Sequence, residues 1–462
     1  MFQLKFYNSR SKSLEPFVHD SNVPINMYTC GPTVYDRAHL GNLKTFLWSD
    51  FVVSYLQAIG YQTNHIMNIT DIDDKIINRL PEQTYESLIQ YTSHYTDKFL
   101  EDIHKLGLKN YTKSNIHRVT DNMDQMEEMI IQLRDKGLAY ETPDGSVYFD
   151  SSQVEKYPFP NTCICDDDYT SSRNIIRPEG VKSNHDFVLW KVKPERVLTF
   201  GKRLKAGIFG WNLECSSIVD THLDKLHISL GGSDLEFPHH TCSILQSEAF
   251  KPNQIYGDYW IHFGFLNFGG DKMSKSIGNV KRLEDINFNY KLVRMYLLSK
   301  SYKNTFDYSD DEIELMKKDF INLHMLYNKL SNKFYRTNKN DKLNYSGNST
   351  VYTNILEIIS NNFNTGDALK ELIKYVDKFM KVYLTDEKAQ EIKNELDQVN
   401  NLFNIFDQEL LTIDSETSEI ITQREELRKL KQFERTDEMR EQIKLTYIFE
   451  DENTGFTLIK KF

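Results

Sequence analysis

The sequence predicts an α/β protein: a doubly wound, parallel-sheet domain carrying an insertion, followed by an α-helical bundle and a small C-terminal domain. Three observations carry the prediction. Strand-like and helix-like runs alternate over residues 26–70 and again over 226–263, a loop-rich stretch separates the two blocks, and beyond about residue 290 apolar residues recur at three- and four-residue spacing. Alternation of strand, helix and strand implies parallel pairing, and two such halves meet at a ligand-binding crevice. The later spacing is that of amphipathic helices packed in a bundle.

Taken in order, a short run ends at Tyr28-Thr29-Cys30, a helix is predicted from Leu43 to about Ile59, and a strand runs through His65-Ile66-Met67-Asn68-Ile69. Residues 115–210 read as the insertion, with one helix over Met123–Asp135 and loop-rich sequence such as Tyr157-Pro158-Phe159-Pro160-Asn161. The second half is predicted from Leu226–Leu230 leading into Gly231-Gly232, a helix over Thr241–Phe250 and a strand over Tyr259–Phe263. Helical periods then cover Ile313–Phe334 and Val351–Tyr383, and the chain ends in a charged helix and a strand-like tail, Phe456-Thr457-Leu458-Ile459. The resulting divisions are 1–114, 115–210, 211–290, 291–405 and 406–462.

Composition narrows the classes of function. A chain of 462 residues with 39% hydrophobic residues supports several packed cores. It has no apolar run of roughly 20 residues that could span a bilayer, and its first residues lack the pattern of an export signal. A membrane partner is therefore not expected, and the cytoplasm is the expected location. A net charge of −11 argues against coating nucleic acid through bulk electrostatics but permits a local basic patch. The five cysteines, odd in number and scattered, read as reduced thiols or metal ligands rather than a disulfide framework; Cys163 and Cys165 are read as free thiols.

Two short segments carry phosphate chemistry. His39-Leu40-Gly41-Asn42 opens the first helix, where backbone amides and the helix dipole suit a phosphate and His39 and Asn42 can donate to its oxygens. Four such residues alone are more often a turn and a helix cap. Asp271-Lys272-Met273-Ser274-Lys275-Ser276 places two lysines three apart in a glycine-flanked loop, able to clamp a polyphosphate, although many Lys/Ser runs are merely solvated. Cys30, Cys215 and His239 offer a soft thiolate and imidazole set that suits zinc, yet residues so widely spread are more often unrelated buried side chains. Asp71, Asp73 and Asp74 could suggest magnesium but serve as often as helix caps, and no metal is assigned to them.

The two phosphate segments together resemble the paired signatures of class I aminoacyl-tRNA synthetases, in order and on opposite halves of a Rossmann-type fold. Tyr28-Thr29-Cys30-Gly31-Pro32-Thr33-Val34-Tyr35-Asp36, Asn68-Ile69-Thr70-Asp71-Ile72-Asp73-Asp74-Lys75, Gly210-Trp211 with Glu214-Cys215-Ser216, and Gly231-Gly232-Ser233-Asp234-Leu235 with Phe237-Pro238-His239-His240 are similar to the cysteinyl-tRNA synthetase family. The resemblance runs essentially end to end. It implies activation of L-cysteine by ATP with Mg2+, transfer to tRNA(Cys), one zinc ion that selects the substrate thiol, and a monomer. Carried over residue by residue, it implies catalytic roles for His39, Asn42, Lys272 and Lys275, ATP contacts from His39, Gly41, Asn42, Asp234 and Lys275, and substrate contacts from Cys30, Thr70 and Trp211. It makes residues 291–405 a stem-contact region with the bundle and 406–462 an anticodon-binding domain, with tRNA contacts from Arg428, Phe433, Asp437 and Asp451. Asp and an aromatic ring are usual tools for reading single-stranded RNA. Arg424, Lys429, Lys431, Arg435 and Arg440 complete a basic face with Arg428.

The family's zinc ligands match Cys30, Cys215 and His239, but its fourth, a glutamate, corresponds to Ser243. If the stretch after Pro238 is helical, His239 and Cys242 share a face, so the expected set is Cys30, Cys215, His239 and Cys242; the alternative is completion by water or the substrate thiol. Two other activities share parts of this pattern. A ligase joining cysteine to an amino sugar would lack the full C-terminal domain, and a non-catalytic zinc-stabilised RNA-binding protein would not retain both phosphate signatures.

Overall fold

The computed structural model describes residues 3–154, 178–193, 195, 197–274, 278–331, 351–380, 384, 386–452 and 455–461. Its central element is a five-stranded sheet in the order β11-β10-β3-β4-β5, every pair parallel. The strands are β3 (Ile25–Thr29), β4 (Thr63–Ile69), β5 (Ile116–Arg118), β10 (Ile228–Gly232) and β11 (Tyr259–Phe263). Ile25, Met27, Ile66, Met67, Ile69, Ile228, Leu230 and Ile261 are buried along these strands, the near-continuous apolar pattern of a sheet covered on both faces. β3 and β10 lie side by side although about 200 residues separate them, so the two halves meet there. Ligands bind such sheets beyond the carboxyl ends of the strands at this switch.

Two helices start at that edge. α1 (Leu40–Ala58) follows β3, and α6 (Thr241–Phe250) follows β10. α1 begins earlier than its apolar pattern predicts because His39 caps it: the His39 side chain accepts from the Asn42 amide, and the Asn42 side chain accepts from the His39 amide. Most of α1 is buried, including Lys44, Leu47, Trp48 and Phe51, so it forms an interior layer. α2 (Asp74–Ile77), α3 (Tyr85–Lys105), α4 (Met123–Asp135) and α5 (Trp211–His222) complete the helical layers.

The insertion holds more regular structure than its loop-rich sequence predicts. β6 (Ala139–Glu141), β7 (Val147–Phe149), β8 (Phe187–Lys191) and β9 (Ile208–Phe209) form an antiparallel sheet. Its strands are two to five residues long, too short for an alternating pattern to stand out. Cys163, Cys165 and the Tyr157–Asn161 stretch lie outside the described residues.

The chain divides into two compact units, Gln3–Ile286 with Tyr302–Tyr308, and Asn287–Ser301 with Ser309–Phe462. The second unit contains α7 (Tyr290–Ser299), α8 (Asp310–Ser331), α9 (Val351–Ser360), α10 (Thr365–Met380), α11 (Asp386–Phe403), α12 (Gln408–Leu411), α13 (Ser415–Lys429) and α14 (Phe433–Thr446). The helical period predicted over Val351–Tyr383 is split: Asn362 and Phe363 adopt positive φ, and the chain turns before α10. Apolar spacing continues across the turn because both helices face one core, which is why period alone misses the break. The tail forms a hairpin of β15 (Tyr447–Glu452) and β16 (Gly455–Lys460), with Ile421, Ile443, Tyr447, Phe449 and Leu458 as a local core. No described helix is long and apolar enough to cross a membrane.

Candidate active site

Three elements bring sulfur and nitrogen donors to one point. Cys30 directly follows β3, Cys215 lies one turn into α5, and His239 stands just before α6, after the cis Phe237–Pro238 bond. Cys30 Sγ is 3.6 Å from Cys215 Sγ and 3.4 Å from His239 Nε2, and Cys215 Sγ is 3.0 Å from the same nitrogen. All three are buried, at 4%, 1% and 0% exposure. Around one zinc ion with bonds of about 2.3 Å to sulfur and 2.0 Å to nitrogen, tetrahedral donors stand about 3.4–3.8 Å apart, so the residues fit the metal with little movement.

The surroundings orient this set. His239 Nδ1 lies 3.0 Å from Asn212 Oδ1; that hydrogen bond places the proton on Nδ1 and turns the Nε2 lone pair toward the sulfurs. The Trp211 ring stacks on His239 at 4.1 Å. Burial by itself would raise the Cys215 thiol, but the hydrogen bond from Cys30 and the nearby imidazole outweigh it and hold Cys215 well below the usual thiol range. Cys30 moves the other way, raised by its hydrogen bond to Cys215 and by burial. The pair thus favours one thiolate already, and a divalent cation would favour the second.

Cys242 is not brought to these donors. His239, Ser243 and Gln246, at helical spacing, face α5: Ser243 Oγ donates to the carbonyls of His239 and Asn212, and Gln246 Nε2 donates to the Asn212 carbonyl. Cys242 lies off that stripe, makes no hydrogen bond to the three donors, and burial pushes its thiol up. Cys242 therefore stands to one side of the stripe that packs on α5. A histidine that sequence reasoning passed over is nearer. Donor atoms of Cys30, His239 and His240 lie within 4.8 Å of one another, and the buried Nε2 of His240 has no hydrogen-bond partner.

A cavity of about 620 Å³ opens from this cluster toward the phosphate segments. Its walls include Cys30 and Trp211 at one end and His39, Asn42, Asp234 and Lys272 at the other. Lys272 Nζ is 2.9 Å from Asp234 Oδ2 and 4.1 Å from the centre of the Phe265 ring. Gly41 packs so closely that an added Cβ would come 3.0 Å from His39 Nδ1. Thr70 is buried beside Thr33, a residue of the wall, and donates to Glu214 Oε2 at 2.6 Å. Gly31 admits no side chain, since a Cβ would come 1.7 Å from the Asn68 carbonyl. Lys275 falls outside the described residues.

The acidic cluster has structural partners. Asp73 caps α2, Asp71 accepts from Thr120, and Asp74 pairs with Lys191 at 2.7 Å. In the second unit, Arg428 ends α13, and Phe433 and Asp437 lie on α14, with Phe433 60% exposed. Arg424 does not belong to an open basic face. It is buried, donates to the Thr436 carbonyl and stacks on Phe449, because its helix position faces the hairpin core. Asp451 lies in β15, and its side chain is outside the described residues.

Comparison with known proteins agrees with this geometry. The family model for the class I (C) tRNA synthetase catalytic domain matches residues 16–318. A cysteine–tRNA ligase of Methanococcus aeolicus is 34% identical over 99% of this chain and 100% of its own length. One of Clostridioides difficile is 32% identical over 98% and 99%. A Mycobacterium tuberculosis methionyl-tRNA synthetase bound by methionyl-adenylate shares the fold, with a TM-score of 0.52, 13% identity and coverage of 83% of this chain and 90% of that one. The buried thiol–imidazole cluster reaches, through Cys30, the cavity that His39, Asn42 and Lys272 also line, and this chain, matched end to end by cysteine–tRNA ligases, belongs to that family of class I tRNA synthetases.

Proposed function

We propose that this cavity activates L-cysteine with ATP to cysteinyl-adenylate and transfers the cysteinyl group to the 3′ end of tRNA(Cys). The observation that carries the reading is the single cavity, walled by the Cys30 end of the donor cluster and by His39, Asn42 and Lys272. Its volume, about 620 Å³, suits an aminoacyl-adenylate, because small-molecule sites commonly occupy about 300–1,000 Å³.

Cys30, Cys215 and His239 would hold one zinc ion, which when bound supplies a Lewis acid that prefers the substrate sulfur to a hydroxyl. Shape alone separates near-isosteric substrates by only about 1–3 kcal/mol, so a soft acceptor answers the problem of excluding serine. Trp211, stacked on His239 and on the wall, closes the side-chain end. ATP, carried with Mg2+, would lie along the segment from Asn42 to Lys272, its phosphates meeting the start of α1. The cysteine carboxylate attacks the α-phosphorus, and the bond to pyrophosphate breaks. Lys272, assisted by Lys275, neutralises the charge that gathers on the departing oxygens. Asp234 shares Lys272 at rest and would be released toward the ribose or the amino group as phosphate takes its place. In the second step a hydroxyl of the terminal adenosine attacks the adenylate carbonyl and AMP leaves. Arg428, Phe433, Asp437 and Asp451 would read the anticodon.

The test is cysteine-dependent exchange of pyrophosphate into ATP, with serine as control, followed by charging of tRNA(Cys). Exchange with cysteine and not serine is expected; its absence defeats the reading.

A further inference from the structure

The start of α1 meets chain that flanks the Lys272 segment, the Leu40 amide donating to the Lys281 carbonyl at 2.8 Å, and a buried lysine stands close by. Lys44, on α1 five residues after His39, is fully buried. Its Nζ donates to the Gly264 carbonyl, and the Phe306 ring lies 5.0 Å away. Among the described residues no carboxylate pairs with it, and burial lowers its ammonium to about 7. A cation held by one carbonyl and an aromatic face is costly to bury, and an apolar side chain of similar length would fill the space at lower cost. Packing does not explain the residue.

Its location does. Gly264 joins β11 to β12 (Leu266–Phe268), which pairs with β13 (Asp271–Lys272). Phe265, the next residue, provides the ring under Lys272 Nζ. A Cβ on Gly41 would come 3.5 Å from the Leu266 carbonyl, so the start of α1 already rests on this segment. Gly264 itself is clamped: its amide donates to the Tyr302 carbonyl at 2.9 Å, and a Cβ there would come 2.4 Å from the Lys303 carbonyl. The carbonyl that Lys44 holds belongs to the peptide that leads into Phe265.

We infer that Lys44 is a positioning residue for adenylate formation: by anchoring the Gly264 carbonyl to α1 it sets the spacing between the His39–Asn42 segment and the Phe265 platform that carries Lys272. The inference rests on the proposed function. Displacing a catalytic charge by about 1 Å can cost as much as 10²-fold in rate with no contact to substrate lost.

The experiment compares wild type, Lys44→Met and Lys44→Arg in cysteine-dependent pyrophosphate exchange, alongside zinc content and thermal unfolding. Lys44→Met is expected to lower kcat roughly 10- to 100-fold. The KM for cysteine and the zinc content should be maintained, the melting temperature should not fall, and Lys44→Arg, which keeps a charged donor, should recover most of the rate. A folded Lys44→Met with wild-type kcat overturns the inference, as does a rate loss in the folded variant that merely follows loss of zinc. Should Lys44→Met fail to fold, Lys44→Gln, with a shorter neutral donor, is read by the same numbers: reduced kcat at constant cysteine KM supports the inference and unchanged kcat overturns it. Wild type without exchange defeats the functional reading instead, so the two failures are distinct.

Discussion

The two ends of the cavity are built on opposite plans. At the sulfur end every donor is buried and the geometry is fixed by packing: His239 sits between the Trp211 ring and Asn212, and the donors stand 3.0–3.6 Å apart. At the other end the side chains of Lys272 and Asp234 are 47% and 48% exposed and pair with each other at 2.9 Å. The first end is set by buried packing, whereas the second, in the proposed reaction, would exchange one ionic partner for another as phosphate binds. Discrimination between sulfur and oxygen demands fixed donors. A polyphosphate whose charge shifts during reaction is better met by groups that can follow it.

The largest effect that would sharpen this contrast is at the fixed end. Cys215→Ser should abolish stoichiometric zinc and lower cysteine-dependent exchange roughly 10³-fold or more, since a hydroxyl is a poor zinc ligand. Metal analysis beside the exchange assay measures both, and full zinc in the variant would break the assignment. At the adaptable end, Lys272→Ala should cost about 10²-fold in kcat while zinc content and cysteine affinity hold; a defect confined to cysteine KM would place Lys272 at the wrong end.

A smaller effect probes how the fixed end is held. Asn212→Ala removes the partner of His239 Nδ1 and should weaken zinc binding about 10- to 100-fold in a chelator competition, without abolishing it. If affinity does not change, the geometry is set by packing against Trp211 alone. The smallest effect concerns stability between the two ends. Lys44 is lowered to about 7 in the folded chain from an ordinary value near 10.5, so the unfolded chain binds the extra proton between those values and wild-type stability rises with pH there. The advantage of Lys44→Met in denaturant melts should accordingly be greatest near pH 6 and shrink toward pH 9. An advantage that grows with pH would contradict the buried charge.

Much of the site was legible because its chemistry is local. His39-Leu40-Gly41-Asn42 reads as a helix start in any context, and it is one, with His39 as the cap. The strand and helix runs of both halves, the Thr241–Phe250 helix and the Tyr259–Phe263 strand among them, follow from apolar period and length. Less legible was anything that depended on rotation or on distant backbone. Three-residue spacing puts Cys242 and His239 on one side of a helix, which is the basis for expecting Cys242 as a ligand, but only the packing of α6 on α5 selects which stripe faces inward, and it is the stripe of His239, Ser243 and Gln246. Arg424 reads in sequence as one of a run of basic residues, yet it is buried against Thr436 and against Phe449 of the hairpin core.

By itself, then, the sequence determined the order of the elements, the parallel sheet and the identity of the chemical groups, because periodicity, capping and side-chain chemistry are properties of neighbouring residues. Only the tertiary structure decided that Cys30, Cys215 and His239 converge, that Thr70 bonds the buried Glu214, and that Lys44 holds the Gly264 carbonyl. Those relations join residues tens to hundreds of positions apart, and they are set by how sheet and helices pack, which no local pattern encodes.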